Sequence, residues 1–539
     1  MPMKSRAVLA ILAVAAALLA ALVALSSCGS DIPSESQWMS HVRALADDHL
    51  RGRETTTEGY RQAASYVARE LKRFGVEARG DTGTYYQRVP FLARRVDEPR
   101  CRVALIQGRR TIPVVLGEEA ILSMKLNPAD SVDAPLVFVG YGLHIPEAGW
   151  DDLDGLDLKG AIAVYMRGGP DNVPGPLLAR ASYRAERWRA FRRAGAIGMI
   201  EIRGTKKADL WKMTSDSRLE PALVLDGPEF DEAPGMKVQF HWRGDKAAPL
   251  FQGTKHRFDE IEARAKGGER PPHFELPSRL RARIVSSVQP EECRNVIGVI
   301  RGSDKKLREQ YVVLSAHLDH LGVGPPVDGD SIYNGAMDNA SGCATLLEVA
   351  RMIKRSGHAP KRSILFLFTT GEEEGLWGST YFAARPTVPA RRIVADLNID
   401  MFLPIQPIRG ITVYGIEESD LGDVARRVAK SDSLRIVPDP KPERRYFVRS
   451  DQYSFIRHGI PSIFIDAGPT DSASVKAEEA WNDAHYHKPS DDAAQTLDLG
   501  AVARYDRYIL AMTRAVADGA KKPQWKRDSH FRNLGRGSR

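Results

Sequence analysis

The feature of this sequence that most constrains its fold is an alternation of short apolar runs with helical patterns, which begins near Cys293. In the helical segments apolar residues recur every three or four positions, as at Leu347, Ala350 and Ile353, so each segment predicts an amphipathic helix. The apolar runs have the composition of strands that are buried on both faces. They are Val296–Ile300, Tyr311–Ala316, Ile364–Phe368, Ile393–Ile399 and Ser462–Ile465. Strands that alternate with helices predict an α/β fold, a three-layer sandwich around a mostly parallel central sheet.

The first half of the chain does not show this alternation of apolar runs and helical patterns. A helix is predicted over residues 58–74, after which Asp97-Glu98-Pro99 opens a long stretch that is rich in strand and turn residues. That stretch ends with polar, helix-prone sequence and the pair Pro271-Pro272. A chain of 539 residues is expected to form two or three domains. We therefore expect a core domain over residues 32–96 and 270–517, with a β-rich insert and linker over residues 97–269.

The N-terminus has the pattern of an export signal. Lys4 and Arg6 precede an apolar run of 19 residues that ends in Leu-Ser-Ser-Cys at Cys28. This ending resembles a bacterial lipobox, so residues 1–27 are expected to be a lipoprotein signal peptide, with a lipidated Cys28 that anchors the mature chain to a membrane. A retained signal anchor is the alternative, because 19 apolar residues just span a bilayer. Both interpretations export the residues from position 29 onward.

The net charge of +8 is concentrated at the two ends of the chain. Residues 521–539 contain seven Lys or Arg and one Asp, and Lys4 and Arg6 add two more positive charges, so the remainder is formally neutral. A neutral body does not have the basic surface of a nucleic-acid-binding protein. Residues 518–539 are expected to form a basic, disordered tail.

Ionisable residues follow the predicted strands of the core domain. His317 and Asp319 come at the end of one strand, and Asp400 ends another. A lone His at a strand end is common, and an Asp there needs a partner when it is buried. A His beside a carboxylate is also the arrangement that fixes an imidazole for metal binding.

Three further segments complete the set. Asp338 precedes a predicted helix and could be an N-cap, and the acidic run 372–374 could be a solvent-exposed turn. Residues 481–492 contain His485 and His487 in a polar loop. Each segment has an ordinary structural explanation, but their order along the chain is His, Asp, Glu-Glu, Asp, His. Carboxylates with His and without Cys predict a hydrolytic site for zinc or a similar divalent cation.

With these segments in order, the sequence resembles metallopeptidase family 28, the two-zinc aminopeptidases and their carboxypeptidase relatives. The resemblance is carried by AHLDH, GAMDNASG, TGEEEGLWGS, NIDM and YHKPSD, within residues 290–517. The stretch FVGYGLHIPEAGWDDLDGLDLKGAIAVYMRGGP is similar to a protease-associated domain, a module often inserted in these enzymes. The resemblance implies a zinc exopeptidase fold with that insert, two Zn²⁺ ions and peptide substrates, and it leaves the oligomeric state open.

Carried over residue by residue, the family pattern puts one zinc on His317 and Asp400 and the other on Glu373 and His487, with Asp338 as the bridging ligand. It makes Glu372 the general base, Asp319 the carboxylate that supports His317, and Tyr486 a donor to the oxyanion. It also implies a cis peptide bond between Asp338 and Asn339.

Several assignments stay open from the sequence. His485 competes with His487 as a ligand, and the register of the Tyr-His-x-Pro-Ser-Asp segment favours His487. His320 and His458 are assigned to structural or solvent-exposed positions, and Asp451 either caps a helix or contacts substrate. The predicted function is a zinc aminopeptidase. The alternatives are a carboxypeptidase or dipeptidase of this fold, a glutaminyl-cyclase-like transferase, and a surface binding lipoprotein that has lost its metals.

Overall fold

The computed structural model describes residues 33–204 and 208–534, which divide into two compact units. The first unit contains the described residues up to Arg88, Arg294–Pro440 and the residues from Ser450 onward. The second unit contains Val89–Cys293 and Lys441–Arg449. The insert expected over residues 97–269 falls within the second unit, which also takes residues that the sequence assigned to the core domain. The signal segment 1–27 and Cys28 lie outside the described residues.

The first unit is built on a mixed sheet with parallel strands at its centre. Its strands are β1 (Glu77–Ala78), β2 (Tyr86–Val96), β3 (Ser286–Ile300), β4 (Tyr311–His317), β7 (Ser363–Thr369), β8 (Ile393–Asn398), β9 (Gly410–Tyr414), β10 (Arg435–Val437) and β11 (Ser462–Ala467); the hairpin β5 (Gly322–Val327) and β6 (Asp330–Tyr333) is separate. The order is β2-β3-β7-β4-β8-β11-β9-β10, and β1 pairs with β3. β2 from Val89 onward and β3 up to Cys293 belong to the second unit, where the strand Ala222–Leu225 pairs antiparallel with β2. The neighbours in β7-β4-β8-β11 are parallel, whereas β3 and β9 join them antiparallel.

All five apolar runs predicted as strands are strands in the structure, and antiparallel edges extend the expected parallel sheet. The helices of this unit are α1 (Glu35–Leu45), α2 (Glu58–Arg73), α3 (Ser341–Ser356), α4 (Trp377–Ala384), α5 (Leu421–Ser431), α6 (Gln452–Arg457), α7 (Ser472–His485) and α8 (Leu499–Ala517).

Helices cover both faces of the central strands. On β7, Leu365 and Leu367 pack with Phe382 of α4 and Phe455 of α6. The alternate residues of a strand point to the opposite face, where α3 and α8 contact β4 and β7. The strands are therefore buried on both sides, which is why they appear in the sequence as continuous apolar runs. This is the three-layer arrangement that the alternation predicts.

The sequence of α2 shows how one of these helices is specified. The side chain of Thr57 accepts a hydrogen bond from the Tyr60 N–H at 3.3 Å and caps the first turn. The apolar residues at three- and four-residue spacing, Tyr60, Ala64, Val67 and Leu71, are fully buried. Gly75 then takes a φ of 76°, which ends the helix.

The second unit has a mixed eight-stranded sheet of its own. In order across the sheet, the strands are Arg110–Pro113, Arg102–Gln107, His273–Arg283, Ser131–Val139, Ile162–Met166, Gly198–Arg203, Val238–Arg243 and Ala120–Leu122. Its helices are Gly175–Ser182, Arg184–Arg193, Ala208–Asp216, Ala248–Phe251 and Phe258–Lys266. The boundary expected at residue 270 differs from this division because His273–Arg283 pairs antiparallel with Arg102–Gln107 and Ser131–Val139. Long-range pairing of this kind leaves no local signal in the sequence.

The expected disorder of the basic tail is corrected for residues 518–534. Phe531 is fully buried, and the indole N–H of Trp525 donates to the Gly459 carbonyl at 2.9 Å. The Ser529 hydroxyl donates to Glu418 at 2.6 Å. The expectation rested on the cationic residues, whereas the aromatic residues between them supply apolar surface to pack. Among the helices of the described residues, none has the length and apolar character that crossing a membrane requires.

Candidate metal centre

The carboxyl ends of three parallel strands meet at one edge of the first unit's sheet. β4 ends at His317, which is opposite Thr369 at the end of β7, and β8 ends at Asn398 beside Ser315. From β7 the chain continues into Glu372 and Glu373, and from β8 into Asp400. Because these strands run in the same direction, residues far apart in the sequence come together beyond their ends.

The side chains there converge on the carboxylate of Asp338. His317 Nε2 lies 3.1 Å from Asp338 Oδ1 and 3.1 Å from Asp400 Oδ1. The second oxygen of Asp338, Oδ2, lies 3.2 Å from His487 Nε2, which is also 3.4 Å from Glu373 Oε2. Asp338 thus presents one oxygen to each imidazole, and the structure brings the five side chains predicted as ligands into one cluster. Atoms of His317, Asp338 and Glu373 all lie within 4.8 Å of one another.

The loop that carries Asp338 is held by two side chains. The Asp338–Asn339 peptide bond is cis, as the family resemblance implies. The Asn339 amide donates to the Ile399 carbonyl at 2.9 Å and accepts from the Met401 N–H at 3.1 Å, which ties this loop to the residues around Asp400. From the other side, the buried carboxylate of Asp491 accepts from the N–H groups of Met337 at 2.9 Å and Asp338 at 3.1 Å.

The loop after β7 is fixed through its backbone. Four consecutive N–H groups, at residues 370–373, each donate to a side chain. The acceptor of the first is Asn295 at 3.1 Å, and the acceptor of the second is Thr55 at 3.0 Å. The carboxylate of Asp319 accepts the last two, at 3.2 Å from Glu372 N and 3.3 Å from Glu373 N. Glu372 and Glu373 are therefore held in place before any ligand binds.

The role expected of the Asp319 carboxylate is corrected by these contacts. Its oxygens accept from the Glu372 and Glu373 N–H groups, whereas Nδ1 of His317 lies 3.1 Å from the backbone carbonyl of Asp319. A backbone carbonyl serves as well as a carboxylate to fix the tautomer of a metal-binding His. Asp319 thus supports His317 through its main chain and the glutamates through its side chain.

Negative charge predominates in this buried cluster. Burial, together with Asp400 and Glu373, raises the pKa of Glu372 well above its ordinary value. Burial lowers the pKa of His317, but Asp400, Glu372 and Asp338 outweigh that effect and raise it well above its ordinary value. Both changes show carboxylates that lack enough positive charge among their neighbours. Bound divalent cations would supply it, and imidazole with carboxylate is a donor set that zinc takes in hydrolytic sites.

Other predicted residues surround this cluster. The Tyr486 ring stacks on His487 with centroids 3.9 Å apart. His485 is the last residue of α7, and its Nδ1 lies 3.0 Å from the Ser490 carbonyl, so it does not join the cluster. His458 Nδ1 lies 2.9 Å from the Ser454 carbonyl, also outside the cluster. Asp451 occupies the N-cap position of α6, but its side chain makes no capping hydrogen bond; it is fully buried and accepts from the Thr369 hydroxyl at 2.5 Å.

His320 belongs to the cluster, although the sequence assigned it to a structural or exposed position. It is 1% exposed, its Nδ1 lies 2.8 Å from Glu373 Oε1, and its ring meets that of His487 edge to face. The signal was available, because His320 follows His317 and Asp319 in one strand-end segment. Asp491 lies in the motif YHKPSD and Asn339 in GAMDNASG. Nothing in the spacing of these residues indicated that their side chains fix a loop and do not face solvent.

The comparison with protein families identifies the segment that carries this geometry. Residues 295–513 match the model of Peptidase family M28, a range that includes all five clustered side chains. These residues belong to Peptidase family M28. The likeness to an aminopeptidase from Aneurinibacillus sp. strain AM-1 has a TM-score of 0.53 at 18% identity and covers 92% of this chain and 96% of that one. It shows that the matched part of this chain has the fold of that protein.

Sequence relatives extend beyond the M28 domain. The probable lipoprotein aminopeptidase LpqL of Mycobacterium tuberculosis is 28% identical over 498 residues, which cover 88% of this chain and 81% of the relative. A glutamate carboxypeptidase 2 homolog of Caenorhabditis elegans is 26% identical over 398 residues, covering 64% of this chain and 46% of the relative. The probable glutamate carboxypeptidase VP8 of Zea mays is 30% identical, with 66% and 49% covered. The chain spans about half the length of these two carboxypeptidase relatives.

Proposed function

We propose that this chain is a zinc-dependent exopeptidase that removes N-terminal residues from peptides. The observation that carries the proposal is the carboxylate of Asp338, which faces His317 with one oxygen and His487 with the other. A carboxylate shared between two imidazoles, each with a further carboxylate beside it, is the arrangement that two cations need. Membership of residues 295–513 in Peptidase family M28 supports the hydrolytic chemistry.

In this proposal His317 and Asp400 would hold one zinc, Glu373 and His487 would hold the other, and Asp338 would be a ligand shared by both. Bound zinc supplies Lewis acidity, which lowers the pKa of water and polarises a peptide carbonyl. Glu372 takes the proton of the attacking water on a carboxylate oxygen and returns it to the leaving amine. The backbone N–H groups of Glu372 and Glu373 both donate to Asp319. These hydrogen bonds keep Glu372 beside Glu373, the proposed ligand that follows it in the chain. Tyr486 donates to the oxyanion.

A substrate panel with and without metal tests the activity. The purified chain is assayed on aminoacyl substrates and on the same substrates with a blocked N-terminus, after chelator treatment and after zinc is added back. We expect cleavage of free N-termini, loss of activity with chelator and recovery with zinc. Hydrolysis of blocked substrates alone would overturn the aminopeptidase assignment, and activity that survives complete metal removal would overturn the metal mechanism.

A carboxypeptidase is the second candidate, because two of the relatives described above are named as glutamate carboxypeptidases. Both activities use the same hydrolytic centre and differ in which free end of the peptide is recognised. N-blocked peptides with a free C-terminus separate them, since only a carboxypeptidase shortens these from the other end. The glutaminyl-cyclase-like and metal-free alternatives predict no hydrolysis of either set.

Three finer statements belong to the proposal. The site takes two zinc ions per chain, which metal analysis of the purified protein would count directly. Residues 97–269, within the second unit, are the inserted protease-associated domain and linker. The chain is exported and anchored to a membrane through lipidated Cys28. The LpqL relative is named as a probable lipoprotein aminopeptidase, which supports this part of the proposal. In a bacterial host that processes lipoproteins, the wild-type chain is expected in the membrane fraction and the Cys28→Ser variant outside it.

A further inference from the structure

A buried arginine of the N-terminal segment lies under the candidate metal centre. Arg53 ends the short helical stretch Asp48–Arg53 between α1 and α2, and its side chain is fully buried. A guanidinium has five N–H donors and keeps its charge in a protein, so burying it is costly unless every donor is satisfied. Residues 33–88 contribute no proposed ligand, and no role for Arg53 follows from the sequence alone.

All five donors of Arg53 have acceptors, and each acceptor is a backbone carbonyl. Nε donates to Leu318 at 2.8 Å, Nη1 donates to Leu45 at 3.0 Å and to Asn334, and Nη2 donates to Gly335 at 2.6 Å and Asp338 at 3.2 Å. Four of these five carbonyls belong to two loops. Leu318 directly follows the ligand His317, and residues 334–338 form the loop that ends at the bridging carboxylate.

The backbone around Arg53 fits without spare room against the β5–β6 hairpin, which connects these two loops. Gly52 has a φ of 68°, and a Cβ built on it would lie 2.4 Å from the Gly322 carbonyl oxygen and 2.5 Å from that of Tyr333. The Arg53 carbonyl in turn accepts from the His320 N–H at 3.4 Å. Arg53 thus contacts the segment 317–320 through both its side chain and its main chain, and one planar group sets the spacing between this segment and the Asp338 loop.

We infer that Arg53 is a positioning residue for the metal centre, which holds the Asp338 carboxylate at its distance from His317 before metal binds. The inference rests on the proposed function, because it assigns Arg53 an effect on metal affinity. Arg53 touches neither substrate nor metal, and it acts through the carbonyls of Leu318 and Asp338. A lysine keeps the charge but has three donors on one atom, so it leaves at least two of these five carbonyls without a partner.

The chain offers a matched control in Arg362. This residue is 1% exposed and donates to the carbonyls of Val516 and Ala517 at 3.3 Å, to the Gly519 carbonyl and to the Gln310 side chain at 2.8 Å. It directly precedes β7, whereas the metal centre follows the end of that strand. Arg53→Lys and Arg362→Lys therefore make the same change in buried, carbonyl-binding arginines at opposite ends of the sheet.

Zinc affinity of the full chain is measured by competition with a chelator of known affinity, with the cobalt(II) absorption spectrum as a report on ligand geometry. We expect Arg53→Lys to bind zinc about 10- to 100-fold more weakly than wild type, with an altered cobalt spectrum, as for other residues that orient metal ligands. Arg362→Lys should lose thermal stability but keep both readouts. Equal zinc affinity in the two variants would overturn the inference, whereas a wild-type chain that binds no zinc would overturn the proposed function instead.

A second variant keeps the test informative if Arg53→Lys does not fold. Gly52→Ala retains the guanidinium but adds a Cβ that meets two backbone oxygens, so it shifts Arg53 relative to the Asp338 loop. We expect the same loss of zinc affinity with a smaller magnitude. A folded Gly52→Ala protein with wild-type zinc affinity and cobalt spectrum would count against Arg53 as the group that sets the loop spacing.

Discussion

Two buried histidines of the first unit lie beside carboxylates, and their pKa values move in opposite directions. His41 and His317 are each 1% exposed. Burial, together with Arg73 and Arg351, lowers the pKa of His41 from 6.5 to about 3, although Glu348 lies 3.9 Å away. The pKa of His317 is raised, because the carboxylates of Asp400, Glu372 and Asp338 outweigh its burial.

The difference lies in what surrounds the carboxylates. Glu348 is fully buried, and Arg351 donates to both of its oxygens from Nε at 3.0 Å and to one of them from Nη2 at 2.8 Å. Arg351 is therefore the counterion of Glu348, and this carboxylate needs no bound cation to neutralise it. The cluster around Asp338 has no such arginine within the described residues, since Arg53 turns all five of its donors to carbonyls. The same unit therefore neutralises one buried carboxylate with an arginine, whereas the carboxylates around Asp338 face imidazoles, and the proposed function assigns their neutralisation to bound cations.

The largest effect is expected from the bridging carboxylate itself. Asp338→Asn removes the negative charge that faces both imidazoles, so zinc content should fall below two ions per chain. The several kcal/mol that metal contributes to the transition state would be lost, which corresponds to about 10³-fold or more in kcat/KM. Metal analysis and steady-state kinetics measure both quantities. Full zinc content in this variant would mean that the Asp338 carboxylate is not needed to hold the cations.

Glu372 should separate turnover from metal binding. Glu372→Gln keeps the shape of the side chain but cannot take a proton, so kcat should fall by about 10²- to 10⁴-fold with zinc content unchanged. Glu374→Gln, a change in the same acidic run, serves as the matched control and should retain kcat near wild type. If the Glu374 variant loses turnover and the Glu372 variant does not, the register that makes Glu372 the general base is incorrect.

Removal of the Glu348 carboxylate, which Arg351 neutralises, should lower stability and leave metal binding as it is. Glu348→Gln leaves Arg351 buried without its counterion, which costs about 3–5 kcal/mol of unfolding free energy when one partner of a buried pair is removed. Zinc content should be unaffected. Glu417→Gln, which removes a 71% exposed partner of Arg426, should change stability by less than about 1 kcal/mol. Denaturant unfolding of the zinc-loaded variants compares the two, and a loss of zinc in Glu348→Gln would erase the contrast between the clusters.

Much of the fold and the cluster could be predicted because the information is local. The apolar runs are strands buried on both faces, and His317, Glu372, Glu373 and Asp400 follow strands whose direction brings their ends together. Their charge at the end of an apolar run is visible in the sequence without any knowledge of distant contacts. The bridging role proposed for Asp338 needed the family resemblance, since from the sequence alone this residue is equally well explained as a helix cap.

The rest could not be predicted because it depends on contacts between distant residues. Arg53 lies 285 positions from the carbonyl of Asp338 that it binds, and in the sequence it is one of several arginines in a polar segment. Asp491 lies 153 positions from the N–H of Asp338, in a loop where acidic residues are ordinarily solvated. The strand His273–Arg283 follows a proline pair that marks a boundary in the sequence, yet its pairing partners place it in the second unit. These features arise only once the chain is folded.

The smallest expected effect is a pH dependence of the unfolding free energy that comes from His41, which lies beside the Glu348–Arg351 pair. An unfolded His41 titrates near its ordinary pKa of 6.5, whereas the folded value is about 3. Between these values the unfolded chain binds a proton that the folded chain does not, so stability is present above pH 6.5 and is lost as the pH falls through this window. His41 should contribute a slope of about 1 kcal/mol per pH unit. His41→Gln removes the titrating group, so its unfolding free energy between pH 7 and pH 5, measured with denaturant, should fall less steeply than that of wild type. A variant with the wild-type slope would mean that burial, with Arg73 and Arg351, does not keep the folded His41 neutral, and the contrast between the pKa values of His41 and His317 would be lost.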